Sequence, residues 1–359
     1  MTPKQRLMAA ISGKELDRLP WSPFLAYFWE NLSQDEQNKG QLSFLEGIGA
    51  DPLLRGFFQL FTMKRNTCTA QEIIKGNEKR IEFQTPVGKL NGKYVYTPVG
   101  DTWFLTEHFV KTEEDFKILT YLNEDMQIEA HFDPFLIANR ELGERGLYLP
   151  IIGSESKTSF QSLVEHWVGT EELVYALTDY PKTVEECLYA MKRRSVETVK
   201  ISIESPAEGF IFWEDSSTTN ISPSYYEKYS MPEINEWGKI IHGTEKYLIH
   251  HACGHLKGLL PLLAKTEIDM IESISPPPTG NVELWEAKEA LPKHIGLIGG
   301  IEPTVFLNSN TDDLEKYVIN LLDKMVNHRF ILANSDSCPP GVELEKFKLV
   351  TEIVKQYKP

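Results

Sequence analysis

Short apolar runs that end in polar or small residues recur along the chain, with amphipathic stretches between most of them. An apolar run of about four to eight residues is typical of a strand buried on both faces of a parallel sheet. Alternation of such strands with helices predicts the α/β class and a single (β/α)8 TIM barrel over residues 1–359. The runs are RLPWSPFLA (18–26), DPLLRGFF (51–58), YLPIIGSES (148–156), GFIFWEDS (209–216), KYLIHHACG (246–254), DMIESISPP (269–277), HIGLIGGIEP (294–303) and RFILANSDS (329–337).

Residues 64–108 break this alternation, because their glycine turns and period-two patches indicate antiparallel hairpins. We interpret them as an excursion from the barrel after its second strand, an inserted β-hairpin region at about 62–110, and not as a separate domain. The excursion could cap the barrel mouth, receive a partner or only add packing. The opening Thr2-Pro3-Lys4-Gln5 has the form of a capping box and predicts a first helix that ends at Gly13.

Composition and charge exclude several classes of protein. Lys and Arg number 37 against 52 Asp and Glu, a net charge of −15, and no basic run exists to bind nucleic acid or an anionic membrane. No apolar stretch approaches the roughly 20 residues that span a bilayer. The N-terminus is typical of a helix start rather than a signal peptide. Four cysteines are too few for a disulfide scaffold and indicate cytoplasmic thiols, which metal could bind.

The predicted strand ends are rich in polar groups, which a barrel gathers at the carboxyl-terminal face where its active site lies. His251 and Cys253 are two apart on a strand and therefore point to the same side. Together with Cys338, at the end of the eighth run, they form a donor set suited to Zn2+ with an open fourth position. Cys68 and Cys187 fall in the excursion and in a helix. The other polar groups at strand ends are Ser154–Ser156, Trp213–Asp215, His250, Glu272, Ser273, Glu302 and Asn334–Ser337.

Two alternatives to this metal site stay open. The thiols are equally compatible with buried structural cysteines, a common fate of free cysteine. Cys253 with His255 is also a two-apart pair. His250 points away from His251 and is interpreted as a packing or supporting residue.

Three carboxylates are candidates for catalysis. Glu214 and Asp215 alternate, so only one of them faces the barrel axis, where it would orient a zinc-bound histidine, hold a substrate hydroxyl or donate a proton. The alternative is that the pair caps the SSTTN loop. Glu155 could complete a zinc shell before substrate arrives. The candidate substrate-binding residues are Trp213, Trp167, Asp336 and Glu302, with core packing as the alternative for the tryptophans.

Three segments resemble the uroporphyrinogen-decarboxylase superfamily: HHACG (250–254) with the distant Cys338, the opening MTPKQRLMAAISGKELDRLP, and WEDSSTTNISPSYYEKYSMPEI (213–234). Within it they resemble the corrinoid-dependent methyltransferase branch, whose members carry a His-x-Cys and distant Cys zinc site. ESISPPPTGN (272–281), IGGIEP (298–303) and LANSDSCPPGV (332–342) look most like the methyltransferase component of anaerobic aryl-ether O-demethylases.

The resemblance implies a zinc-dependent methyltransferase that moves a methyl group from a methoxylated aromatic, a phenyl methyl ether, to Co(I) of a corrinoid protein. The cobalamin signature Asp-x-His-x-x-Gly is absent, so the corrinoid is expected on a separate partner, and neither GxGxxG nor a Walker motif indicates a nucleotide. A uroporphyrinogen decarboxylase-like activity is disfavoured, because aromatic PFLAYFWE (23–30) replaces the arginines that a polycarboxylate needs.

Other functions stay open on these residues. An open zinc site would stabilise the leaving oxygen of an ether, whereas two thiolates suit a zinc that presents a substrate thiol, as in a methyl-corrinoid:thiol (coenzyme M-type) methyltransferase. A non-catalytic barrel that binds a corrinoid or a metal is the third possibility. The choice of the ether donor rests on the resemblance of the last three motifs.

Overall fold

In the computed structural model, which describes residues 1–98, 102–326 and 328–357, seven parallel strands form the main sheet. Their order across the sheet is their order along the chain. An arginine on the first strand of this sheet contacts a glutamate on the fifth, which shows that the sheet is curled. The strands are β1 (Leu53–Gln59), β8 (Leu147–Ile151), β9 (Gly209–Glu214), β10 (Tyr247–Ala252), β11 (Met270–Ile274), β12 (Gly296–Ile301) and β13 (Phe330–Asn334).

The predicted first strand, in the run 18–26, is not formed. Trp21 makes an isolated parallel bridge to Leu332 of β13, flanked by backbone hydrogen bonds of 2.9 and 3.0 Å, and its carbonyl accepts one of 2.7 Å from the segment before β1. This segment therefore lies between the two edges of the main sheet. Pro20 and Pro23 have no N–H to donate, so the ladder cannot lengthen. The α/β class is confirmed with a curled seven-stranded parallel sheet among the described residues, whereas a complete eight-stranded barrel is not.

Two antiparallel sheets follow β1, so the predicted excursion is present. One pairs β2 (Phe61–Arg65) with β7 (Met126–Ala130), and the other has the order β3-β4-β5-β6. The excursion thus extends beyond the predicted region of about 62–110, because β7 pairs with β2 after an intervening helix. No local turn sequence predicts that pairing. The interpretation of the chain as one domain stays a prediction. The remaining strands are β3 (Thr69–Lys75), β4 (Glu78–Thr85), β5 (Gly88–Thr97) and β6 (Thr102–Glu107).

Helices cover the main sheet and the excursion. The first begins as predicted, with Thr2 capping the Gln5 N–H, Pro3 in the first turn, and Gly13 at φ 70° ending it. None of the described helices is both long and apolar enough to cross a bilayer. They are α1 (Pro3–Ser12), α2 (Ala26–Glu30), α3 (Gln34–Asn38), α4 (Gln41–Gly47), α5 (Glu113–Glu124), α6 (Asp133–Leu142), α7 (Ser159–Ser162), α8 (Thr170–Asp179), α9 (Pro181–Ser202), α10 (Pro223–Tyr225), α11 (Met231–His242), α12 (Leu260–Leu263), α13 (Leu284–Ala290), α14 (Pro303–Asn308), α15 (Thr311–Lys324) and α16 (Leu344–Gln356), with a 3-10 turn at Gly143–Arg145 and π-helical turns at Leu163–Trp167 and Tyr226–Ser230.

The apolar core has two layers that fix the direction of the strand side chains. One lies inside the curled sheet, where residues of different strands meet, and the other lies between the sheet and its helices. A side chain on any strand therefore points either to the interior or to the helices, as the alternation of strand residues requires. The inner layer contains Leu53, Leu149, Ile211, Ile249, Met270, Ile298 and Ile331.

Candidate functional site

The register between β9 and β10 decides which polar side chains face the interior. His251 pairs with Trp213, whereas His250 pairs with Phe212 and the following Ala252 with Glu214. Paired residues share a face, so His251 and Trp213 lie on one side and His250, Phe212 and Glu214 on the other. His250 stacks on Phe212 with 4.3 Å between ring centroids. It is therefore packed under the helices, opposite His251, as the strand pattern predicts.

His251 is hydrogen-bonded at Nδ1, and its Nε2 faces a carboxylate. Its Nδ1 lies 3.0 Å from Glu272 Oε2 and 3.2 Å from Ser273 Oγ, and its Nε2 lies 3.8 Å from Asp336 Oδ1. Phe24 packs edge-on against the imidazole, with 5.6 Å between centroids. The ring is nearly buried, at 7% exposure, so only its Nε2 side faces the mouth of the curled sheet.

Cys253 follows β10 and lies among carboxylates. Its Sγ is 3.7 Å from the Glu214 carbonyl oxygen. Burial, and then the negative charges of Asp336, Asp215 and Glu165, raise the pKa of the thiol well above its usual value. A thiol in this field keeps its proton unless a cation binds beside it.

Cys338 is fully buried behind the first-run segment. Its N–H donates to the Phe24 carbonyl and its carbonyl accepts from Phe28 N–H, each at 2.8 Å. Burial raises the pKa of this thiol as well. Among the described residues, no group of three or more His, Cys, Asp or Glu side chains comes together as a metal site. His251 and Cys253 are donors of a type that suits zinc, but Cys338 does not complete a three-donor set here, so the zinc assignment stays a prediction.

Of the alternating pair of carboxylates, Asp215 is the one on the Cys253 side. Glu214 points to the helices, where it accepts a 2.8 Å hydrogen bond from Thr158 N–H. Burial raises the pKa of Glu214, but the hydrogen bonds from His250 and Thr158 outweigh it and lower that pKa. Asp215 accepts from Asn220 at 2.6 Å, and burial raises its pKa above the usual value. Asp215 is therefore the better candidate for a proton donor.

Glu155 and Trp167 contact each other on the excursion side of the mouth. The Trp167 indole N–H donates to both carboxylate oxygens of Glu155, at 2.8 and 2.9 Å. The Trp167 ring packs on Phe83 and Phe109. These contacts join the main sheet to the excursion, and the roles of Glu155 in catalysis and of Trp167 in substrate binding stay predictions.

Glu302 and Asp336, two predicted substrate-binding residues, differ in their surroundings. Glu302 is buried and caps α14, accepting from Val305 N–H at 2.8 Å and from the Thr279 hydroxyl at 3.1 Å. Both oxygens of its carboxylate accept hydrogen bonds in this capping arrangement. Asp336, whose side chain is 41% exposed, adopts φ 85° and accepts from Ser337 N–H at 2.7 Å. Asp336 thus remains available at the mouth.

A buried ion pair that the sequence analysis missed lies beside His251. The Arg55 Nε donates to Glu272, and its terminal nitrogens donate to the Ser22 and Leu53 carbonyls at 3.1 Å each. Burial raises the pKa of Glu272, but the charge of Arg55 and the hydrogen bond from His251 outweigh it and lower that pKa. An arginine inside the apolar run DPLLRGFF was the available signal, because an unpaired charge is rarely buried.

Glu165 is a second residue that the sequence analysis missed. It contacts Lys157, accepts from the Gln161 amide at 2.7 Å and from Asp215 N–H at 3.2 Å. It lies in a π-helical turn. Such turns are frequent at functional sites, but no residue pattern in LVEHW announces one.

A cavity of about 240 Å3 opens at the mouth beside β1 and Trp213. Gly56, at φ 70°, forms part of its wall, and a Cβ there would lie 2.6 Å from the Trp213 ring. Glycine thus lets the indole lie directly against β1. A larger cavity of about 550 Å3, at the amino end of β13, contains none of the predicted site residues. The mouth cavity is lined by Pro23, Phe24, Leu25, Ala26, Glu30, Gln41, Leu45, Leu53, Arg55, Gly56, Phe57 and Trp213.

Comparisons with known proteins bear on this fold. The family model described as uroporphyrinogen decarboxylase (URO-D) matches residues 96–357. A solved methyltransferase from Methanosarcina mazei is similar, with a TM-score of 0.64 and 12% identity over 99% of each chain. A B12-independent methionine synthase from Shewanella sp. W3-18-1 matches with a TM-score of 0.49 and 12% identity over 94% of this chain and 98% of that one. At 12% identity, the likeness to the Methanosarcina mazei structure shows the fold alone. No curated protein matches the chain.

Proposed function

We propose a methyltransferase function for this chain, which belongs to the uroporphyrinogen decarboxylase family. More specifically, we propose that the protein moves a methyl group from a methoxylated aromatic to Co(I) of a corrinoid carried by a separate protein. The observation that carries the proposal is the charge at the mouth. Burial and the negative charge of nearby carboxylates raise the pKa of the Cys253 thiol, whereas the buried Arg55 is already paired with Glu272.

This charge distribution weighs against the decarboxylase chemistry of the family's name. A porphyrinogen that bears several carboxylates needs cationic partners at the mouth. Here Arg55 donates to Glu272 and to two carbonyls, and Lys157 is paired with Glu165. The Asp336 carboxylate at the mouth would repel the substrate further. A neutral aromatic ether meets no such penalty.

The chain supplies an aromatic wall and a proton donor for ether cleavage. Phe24 and Trp213 lie edge to face, with 5.8 Å between centroids, and form one side of the mouth cavity. As the bond between the methyl carbon and the ether oxygen breaks, its electron pair stays on the oxygen, and the carbon bonds to the cobalt nucleophile. Asp215, whose pKa is raised by burial, donates a proton to that oxygen. The aromatic wall holds the ring of the leaving phenol.

Zinc is a separate proposal, with His251, Cys253 and Cys338 as its ligands. Among the described residues these donors do not come together as a metal site.

The same carboxylates favour the ether over the thiol as the reaction partner. A substrate thiol bound beside Cys253 would be exposed to the negative charges of Asp336 and Glu165, which raise the pKa of a thiol at this position. A thiolate nucleophile would therefore be disfavoured at this position.

The test is a methyl-transfer assay with 2-methoxyphenol as donor and free cob(I)alamin as acceptor, followed by the change in the cobalamin absorption spectrum. We expect transfer, and faster transfer with electron-withdrawing ring substituents, because these stabilise the leaving phenolate. Methyl transfer from methylcobalamin to coenzyme M without any ether cleavage would establish the thiol direction instead. Release of CO2 from uroporphyrinogen would establish the decarboxylase.

A further inference from the structure

The backbone of β11 is irregular directly beside His251. Glu272 and Ile274 pair with consecutive residues of β12, so Ser273 is the extra residue of a β-bulge, and it adopts φ 76°. Neighbouring residues of a regular strand point to opposite faces. Because of the bulge, the Glu272 carboxylate and the Ser273 hydroxyl both reach His251 Nδ1, at 3.0 and 3.2 Å.

Arg55 completes this arrangement from across the interior of the curled sheet. Its Nε donates to Glu272 Oε1, and its terminal nitrogens donate to the Ser22 and Leu53 carbonyls. The Arg55 and Glu272 side chains are each 1% exposed. A buried carboxylate beside a buried guanidinium is ionised, because a neutral acid would leave the cation unpaired. Glu272 thus accepts a hydrogen bond from Arg55 with one oxygen, and its other oxygen faces His251 Nδ1.

An ionised carboxylate only accepts hydrogen bonds, so the nitrogen that faces it carries the proton. We propose that Arg55, Glu272 and Ser273 are positioning residues that hold His251 with its proton on Nδ1 and the Nε2 lone pair toward the mouth. The Nε2 atom then points to the space shared with Asp336, 3.8 Å away. The inference rests on the proposed function only in that His251 belongs to the site.

The test is 15N NMR of the full-length protein labelled at histidine, at a pH where the imidazoles are neutral. We expect the Nδ1–H tautomer for His251 in the wild type. Glu272→Gln should shift it toward Nε2–H, because an amide can donate to Nδ1 where the carboxylate could not. His250, on the opposite face of the same strand, is an internal reference whose signals should not change. Glu267→Gln, the same replacement at an exposed position, is the matched control.

Ser273→Ala, which removes only a hydroxyl, serves if Glu272→Gln does not fold, and we expect from it a smaller shift of the same sign. A wild-type His251 with its proton on Nε2, or a tautomer unchanged in both variants, would overturn the proposal. If the tautomer shifts but no protein transfers methyl groups, the positioning role stands and the proposed function fails.

Discussion

Replacing Gly56 with alanine would force a methyl group into the ring of Trp213. The new Cβ would lie 2.6 Å from Cζ2 and 2.9 Å from Cη2 of the indole, at a backbone φ of 70°. The left-handed conformation costs a residue with a Cβ about 1–2 kcal/mol, and overpacking adds about 1–3 kcal/mol. Alanine recovers about 0.4–1 kcal/mol through the unfolded chain. We therefore expect Gly56→Ala to lose about 2–4 kcal/mol in the free energy of unfolding, measured by urea denaturation.

Gly76→Ala separates the two contributions. Gly76 has φ 58°, and nothing lies within 4 Å of its would-be Cβ. Its replacement carries only the conformational cost, about 1 kcal/mol. In a Trp213→Phe background, which removes the contacted ring atoms, Gly56→Ala should cost no more than Gly76→Ala. Equal losses from the two single variants in the wild type would refute the contact between Gly56 and Trp213. Under the proposed function, Gly56→Ala alone should also raise KM for 2-methoxyphenol, because the aromatic wall shifts.

Three further predictions concern metal content and pH. Elemental analysis should find about one zinc per chain, lost in Cys253→Ala and Cys338→Ala but kept in Cys68→Ala; unchanged zinc in Cys338→Ala would refute the ligand assignment. Because burial raises the pKa of Asp215, kcat should fall as pH rises through that pKa and the donor loses its proton. Asp215→Asn should abolish this fall of kcat with pH. If the fall persists in the variant, another residue is the proton donor. Burial raises the pKa of Glu233 from 4.5 to about 7, so between these values the folded state retains a proton that the unfolded state has lost. The contribution of Glu233 to the free energy of unfolding is therefore greatest below pH 4.5 and falls by up to about 3 kcal/mol as pH rises from 4.5 to about 7, and Glu233→Gln should remove that part of the pH dependence in urea denaturation measured across pH.

The sequence predicts the individual strands of this fold better than the pairings between distant segments. Apolar runs followed by helical patterns predict the strands of the main sheet, because burial on both faces leaves a direct mark on composition. The run 18–26 is equally apolar but forms a single bridge at Trp21, since Pro20 and Pro23 remove the donors that a ladder needs. The return of β7 to β2 is also unannounced, because the pairing joins segments about 60 residues apart through tertiary contacts.

The same limit holds at the candidate site. The two-residue spacing of His251 and Cys253 predicts a shared side, which stays a prediction because β10 ends at Ala252. The register of β10 with β9 places His251 and Trp213 on one face. Which of Glu214 and Asp215 belongs there depends on where β9 ends, and periodicity alone does not give that boundary. The contact of Arg55 with a glutamate 217 residues away is beyond any local pattern, since it exists only once the sheet curls.

Backbone strain marks the mouth independently of any motif. Among the described residues, the non-glycine positions with positive φ are Ser156, Glu245, Ser273 and Asp336. Three of them lie at or just beyond the carboxyl ends of β8, β11 and β13, whereas Glu245 lies in the turn that precedes β10. Each such conformation costs about 1–3 kcal/mol that glycine would largely avoid. At Ser273 and Asp336 the side chain itself lies within 3.2 and 3.8 Å of His251, and glycine would remove that group. At Ser156 the backbone carbonyl accepts a 2.7 Å hydrogen bond from the backbone N–H of Trp213, so this strained turn positions the aromatic wall. Three strained residues therefore contact one histidine and one tryptophan at the mouth, and strained conformations of this kind cluster at functional sites.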